Sequence, residues 1–326
     1  MSAASIPVDL FNPGQVFACL GFLEAADVLL GDAEGGFDWQ HEGNATFALR
    51  AKGERNPFET VLEFLAEAEP KRWGPIGYAD PPPKKGKGDS EDNEPEDDDS
   101  ADESAADGEK PTLDLQPTFP AKKGDRMALP IRIGGGNRPV VELGHWADES
   151  SRNNFKLYAG NRSADRIARA MLKGVRKKAT GRQKANGQPG DLKTKGVMQL
   201  WEEDRAALIE ASFDVLTPIG GSFNFDPRGA WTAIDAGYSP NEHKHTIQAS
   251  PVVEFLAAWG LEHARPLEFG VRQVRYAAWG TSMPPMLARA AVSGALTTIP
   301  VKRFRFELDL SGKNKVVTFA QEEPDG

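Results

Sequence analysis

Residues 12–31, NPGQVFACLGFLEAADVLLG, are apolar on almost every side of a helix. A chain carrying such a segment must place it in a bilayer, remove it as a targeting peptide, or surround it with its own core. The unbroken apolar run from Val16 reaches only to Leu23 before Glu24, well short of the about 20 residues that span a bilayer. The preceding MSAASIPVD has no basic residue, which a secretion signal requires. Asn12 suits an N-cap, Pro13 the first helical position and Gly31 the C-terminal stop. Val16, Phe17, Leu20, Leu23, Val28 and Leu29 supply bulk, while Gly14, Ala18, Gly21 and Ala25 let a neighbour approach closely. The segment is therefore expected to be a buried core helix, with no membrane contact.

Its partner has an echo in the sequence. FACLGFLEA near the start and FLAAWGLEHA at 255–264 both place an apolar run, a glycine and a glutamate together after a proline. Two similar core helices would explain this. So would two helices that meet through their glycines, which would pack the N-terminal segment on the C-terminal half and make whatever lies between an insertion in one body.

What lies between is strongly polar. Residues 89–109 hold twelve Asp and Glu and no Lys or Arg. The chain's net charge is −9, so without that tract the remainder stands at +3. With PPPKKGKG ahead of it, the stretch 81–112 carries too little apolar surface to offset the entropy of ordering. The expected organisation is an N-terminal helix and strand segment over 1–80, a disordered acidic linker over 81–112, and a main body over 113–326. Within these, FDWQHEGNATFALRAKG suggests a strand pair and NPFETVLEFLAEAE an amphipathic helix. In VKRFRFELDL, Phe304, Phe306, Leu308 and Leu310 alternate with charged residues, and SGKN turns the chain into KVVTFA. The fold class is α+β, antiparallel sheets with packed helices and room for a ferredoxin-like element.

The chemistry-bearing stretch is residues 161–196, with eleven Lys and Arg against Asp165 and Asp191. Ser163 can cap a helix running to about Lys178, on which Arg166, Arg169, Lys173 and Arg176 line one face. Ile167, Met171 and Val175 would turn to the core. Arg162 precedes the helix; Lys177, Lys178, Arg182 and Lys184 lead into a Gly/Gln/Asn/Pro-rich loop. Such a run can be a solvated face, or it can hold the phosphates of a nucleic acid, giving affinity and register but little sequence reading. The acidic tract could compete for that face by imitating a phosphate backbone.

Catalytic signals are sparse. IGGGN at 133–137 reads as a hairpin turn more readily than as a phosphate loop, because the P-loop Lys-Ser/Thr is missing. No spacing of His, Cys and carboxylates builds a metal site, and no cofactor is implied. The single cysteine, Cys19, lies in the apolar helix and is expected to be buried and unreactive, in a reducing, cytoplasmic setting.

Three segments carry a family resemblance. VDLFNPGQVFACLGFLEAADVL, FNFDPRGAWTAIDAGYSPNE (223–242) and ASPVVEFLAAWGLEHARP (249–266) resemble, in collinear order, a CRISPR-associated protein of type I-U (I-G) systems regarded as a counterpart of the large subunit. The resemblance implies a non-enzymatic subunit of a Cascade-type complex. Its partners would be other effector subunits, crRNA, target DNA and a helicase-nuclease that does the cutting. It transfers no binding residues, so the candidate site (Arg162, Arg166, Arg169, Lys173, Arg176, Lys177, Lys178, Arg182 and Lys184) rests on charge and geometry. Two rival readings remain: a metal-independent CRISPR RNA endonuclease using His243 or His245 as general acid or base, and an adaptor that touches only protein.

Overall fold

A computed structural model gives the fold and describes residues 1–40, 45–73, 129–147, 155–158, 163–229, 247–296, 298–311 and 314–324. The chain starts with β1 (Ser2–Val8), α1 (Pro13–Leu30), β2 (Glu34–Asp38), β3 (Ala45–Ala51), α2 (Pro57–Glu67) and β4 (Lys71–Arg72). After the acidic region come β5 (Ile131–Gly135), β6 (Arg138–Leu143), α3 (Ala164–Lys173), β7 (Val175–Arg176), α4 (Gly181–Ala185) and β8 (Leu192–Thr194). Then follow α5 (Val197–Glu203), α6 (Arg205–Glu210), β9 (Thr217–Pro218), β10 (Gln248–Ala249) and α7 (Pro251–Gly260). The chain closes with β11 (Leu267–Gly270), β12 (Gln273–Trp279), α8 (Pro285–Val292), β13 (Val301–Ser311), β14 (Asn314–Val317) and β15 (Gln321–Glu322). The fold is α+β, and the strand pairings among the described residues are antiparallel.

The first sheet runs β1-β3-β2. Together with α1 and α2 this is the strand order of a ferredoxin-like unit without its fourth strand among the described residues, where β4 pairs instead with β5. The largest sheet runs β11-β12-β13-β14, with β15 also on β13. On β13 the alternation holds for Phe304, Phe306 and Leu308, all buried. It fails at Leu310, which is 48% exposed: by then β13 has passed the end of β12 and pairs only with β14. The IGGGN segment turns β5 into β6, with Gly134, Gly135 and Gly136 all at positive φ. A Cβ at Gly134 would overlap the Pro139 carbonyl, so a side chain there is excluded twice over.

The core is organised by α1 and α7. Fourteen of the eighteen residues of α1 are buried, and α7 is buried along its whole length. Asn12 accepts from the Gln15 amide as N-cap, and Gly31 ends the helix at φ +81°. Of the two explanations for the repeated motif, the glycine contact is the one observed. A Cβ on Gly21 would overlap the Leu256 carbonyl, and one on Gly260 would overlap the Phe17 carbonyl. Glycine removes the side chains that would hold the two backbones apart, and Phe17, Phe22, Phe255 and Leu256 close around the contact, fully buried. Among the described residues α1 is the one helix with the length and apolar content to cross a membrane, and it is spent inside the protein. Its buried Glu24 is neutralised by Arg289 of α8, at 2.6 and 2.7 Å.

Candidate nucleic-acid interface

The basic segment is built differently from its expected long helix. α3 starts after Ser163, whose backbone is extended but whose hydroxyl makes no cap bond, and it buries Ile167, Ala168, Met171 and Leu172. It stops at Lys173. Gly174 takes φ +69°, and a Cβ there would overlap the Thr194 carbonyl. Val175 and Arg176 then pair as β7 with β8, the Val175 amide also donating to Thr194 Oγ1 at 3.2 Å. The expected helix to Lys178 is therefore corrected: a glycine in the left-handed region followed by a β-branched residue converts its last turn into a hairpin. Arg176 leaves the helical face that Arg166, Arg169 and Lys173 share.

The stretch beyond is also more ordered than its composition suggests. The Lys177 amide donates to the Asp191 carbonyl at 2.8 Å. Thr180 and Gln183 form a reciprocal cap at the start of α4: the Gln183 amide donates to Thr180 Oγ1 at 3.3 Å, and the Thr180 amide to Gln183 Oε1 at 2.8 Å. Gln183 Nε2 in turn reaches Asp191 Oδ1 at 2.9 Å. A Cβ at Gly190 would overlap the Lys177 carbonyl. Arg182, expected at the start of a Gly/Gln/Asn/Pro-rich loop, sits on the short helix α4.

The candidate cations divide into two groups. Lys173 is committed to the fold: its ammonium donates to the Ala66 carbonyl at 3.1 Å, lies 3.4 Å from Glu69, and is only 17% exposed. It caps the C-terminal end of α2, where the helix dipole favours a cation. Arg169 is shared, 3.7 Å from Glu69 and donating to the Pro70 carbonyl at 3.3 Å, with its side chain 57% exposed. Asp165 is taken by Arg72, at 3.2 and 3.3 Å. In contrast Arg166, Lys177 and Arg182 are exposed and have no carboxylate partner among the described residues, and neither has Lys193 on β8. Arg176 is exposed and spends one nitrogen on the Gly190 carbonyl at 3.3 Å; Lys178 is exposed as well. Arg162 lies outside the described residues, as does the side chain of Lys184.

Residues 161–196 contain no Phe, Tyr, Trp or His. A surface of this kind can hold phosphates but offers no platform on which a base could stack.

His243, His245 and the acidic linker of 81–112 lie outside the described residues. His145 is buried and held neutral, its pKa pushed down to about 3 first by burial and then by Arg265. Cys19 is buried, which raises its thiol pKa well above normal. No group of three His, Cys, Asp or Glu that could hold a metal occurs among the described residues.

One polar cluster had no signal in spacing or composition. Asp226, fully buried, accepts from Asn12 Nδ2 at 3.2 Å, from the Ser250 amide at 3.0 Å and from Arg228 Nη2 at 2.7 Å. Its own amide donates to Glu254 at 2.8 Å. Asn12 and Ser250 are the N-caps of α1 and α7, so one carboxylate ties both helix starts together. The described parts of the three segments that carry the resemblance meet at this point. Comparison with protein-family models, curated proteins and solved structures returned no match.

Proposed function

We propose that this chain is a non-catalytic, nucleic-acid-binding subunit of a CRISPR type I effector of the I-U (I-G) kind, acting in the cytoplasm. In this reading it works beside other effector subunits and grips the phosphate backbone of crRNA or target DNA. Cleavage is left to a helicase-nuclease recruited by the complex.

The observation that carries the binding is the exposed cationic hairpin, with Arg176, Lys177, Lys178 and Arg182 set on a ribbon whose one acid, Asp191, is already bonded to Gln183. Arg166 adds a fifth cation from α3. Five phosphate contacts give a salt slope of about −4.5, a loss of roughly 500-fold in affinity between ~50 and ~200 mM salt. The resemblance of the three core segments supports the CRISPR assignment.

Co-purification tests the reading. Tagged protein expressed with the untagged proteins encoded beside it should bring down those subunits together with RNA protected from nuclease. The variant Lys177→Ala/Lys178→Ala/Arg182→Ala should keep the protein partners and lose nucleic acid. A pool with partners but no nucleic acid would favour the protein-only adaptor, and recovery of neither would overturn the reading.

A further inference from the structure

Apart from the basic hairpin, the structure holds a cleft of about 440 Å³. It forms where β1, the start of α1, the end of β2 and strands β13 and β15 come together. Its aromatic lining is Phe11, Trp39 and Phe304; its charged lining is Asp9, Asp214, Glu322 and Lys302. Lys302 is already paired with Glu322 at 3.0 Å. The remaining carboxylates leave the cleft anionic: Asp214 is 67% exposed, and its one ion pair among the described residues is a long one, 4.0 Å to Arg228, which is itself bound to Asp226 at 2.7 Å. Asp9 uses Oδ1 to accept the Phe11 amide at 2.9 Å, while its Oδ2 has no hydrogen-bond partner among the described residues.

These walls are held in place before anything binds. The Asp9 amide donates to Gln15 Oε1 at 2.8 Å, and the Leu10 carbonyl accepts the Tyr276 hydroxyl at 2.6 Å. Trp39 lies against Gly280, where a Cβ would come within 2.8 Å of its Cη2. Fixed aromatic faces beside carboxylates with free acceptor oxygens are the combination that binds an organic cation, by ring quadrupole and by charged hydrogen bond. The same charges repel phosphate.

We propose that this cleft receives an arginine side chain from a partner polypeptide. Arginine fits better than lysine, since its planar guanidinium can stack on a ring while bonding a carboxylate. A polypeptide fits better than a free amino acid because apolar surface continues past the mouth. Phe11 is 46% exposed and Leu216, two residues from Asp214, is 37% exposed. Phe319, 51% exposed, precedes Ala320, whose amide donates to the Phe11 carbonyl. β1, whose Pro7 and Val8 line the cleft, is an edge strand. The proposal is independent of the nucleic-acid reading.

The test is an NMR titration of the full-length protein, following the Trp39 indole N–H, assigned by its loss in Trp39→Phe. The probes are an acetylated, amidated peptide GLRFG, its counterpart with citrulline in place of arginine, and N-acetyl-arginine methylamide. The arginine peptide should shift the Trp39 signal saturably, and the citrulline peptide should bind about tenfold more weakly or worse. Asp9→Asn/Asp214→Asn should cost a similar factor with the rest of the spectrum unchanged; Asn at position 9 keeps the oxygen that accepts from Phe11. The variant Lys177→Ala/Lys178→Ala/Arg182→Ala should bind the peptide normally. Equal binding of the arginine and citrulline peptides would overturn the proposal. So would the free arginine derivative binding as tightly as the peptide, or no shift with any probe.

Discussion

The α1–α7 contact and the basic hairpin of residues 175–194 are both built around glycines, yet they use them for opposite ends. In the core Gly21 and Gly260 remove side chains so that two helices touch backbone to backbone, and every neighbour is apolar and buried. In the hairpin Gly174 and Gly190 let a short ribbon fold tightly enough to hold like charges outward. The core spends its chemistry internally. The hairpin holds exposed like charges, of which Lys177, Arg182 and Lys193 have no carboxylate partner among the described residues, and like charges on an ordered element are a cost to folding unless a polyanion relieves it.

That contrast can be broken in measurable steps. Gly21→Ala should destabilise the protein most, by about 4 kcal/mol in denaturant unfolding, because the overlap is with backbone and cannot be relieved by a rotamer change. Gly181→Ala in the hairpin meets no atom within 4 Å and should be neutral or slightly stabilising. Equal effects would mean that the helix contact is looser than described.

Asp226→Ala should cost about 3 kcal/mol, since it strands Arg228 and both helix caps. Its binding of nucleic acid, scored under conditions where it remains folded, should be unchanged.

Glu254 gives a pH signature of the same core. Burial raises its pKa from 4.5 to about 7, with the Asp226 charge adding to the shift and the Asp226 amide opposing it. The folded state therefore holds the proton more tightly than the unfolded chain. The resulting stabilisation is complete below pH ~4.5 and is lost as pH rises through about 7. Glu254→Gln should remove that dependence, gaining on the order of 3 kcal/mol over the wild type at pH ~8 and little near pH ~4.5. A wild type and variant that track each other across this range would contradict the burial of a titrating carboxylate.

Lys173→Met should cost about 1 kcal/mol through the lost cap on α2, without altering the salt dependence of nucleic-acid binding. A flattened salt slope in that variant would move Lys173 back among the phosphate contacts.

The same contrast explains what the sequence made legible. Asn12-Pro13 and Gly31 mark the ends of α1 because caps are local chemistry, and the repeated glycine motif points to its partner because close approach needs glycine on both sides. The alternation on β13 holds as far as Leu308, where a second strand covers it. By comparison, the fate of each cation depends on residues far away in sequence. Lys173 is taken by a helix end and a carboxylate about a hundred positions earlier, and Asp165 by Arg72. The early stop of α3 did have a local sign, a glycine followed by a β-branched residue, which the regular spacing of charges outweighed. Asp226 had no such sign of its role, since Asn12 and Ser250 reach it only when the fold is complete.

The most direct test of the central claim is the affinity of a short labelled duplex and of single-stranded RNA, measured by fluorescence anisotropy from about 50 to about 200 mM salt. With the wild type the double-logarithmic slope should be about −4.5 on the duplex and about −3.5 on the single strand, and in Lys177→Ala/Lys178→Ala/Arg182→Ala it should be shallower by about 2.7 and about 2.1, at unchanged thermal stability. Identical slopes for the two proteins, or no binding at the lowest salt, would contradict a phosphate-gripping hairpin.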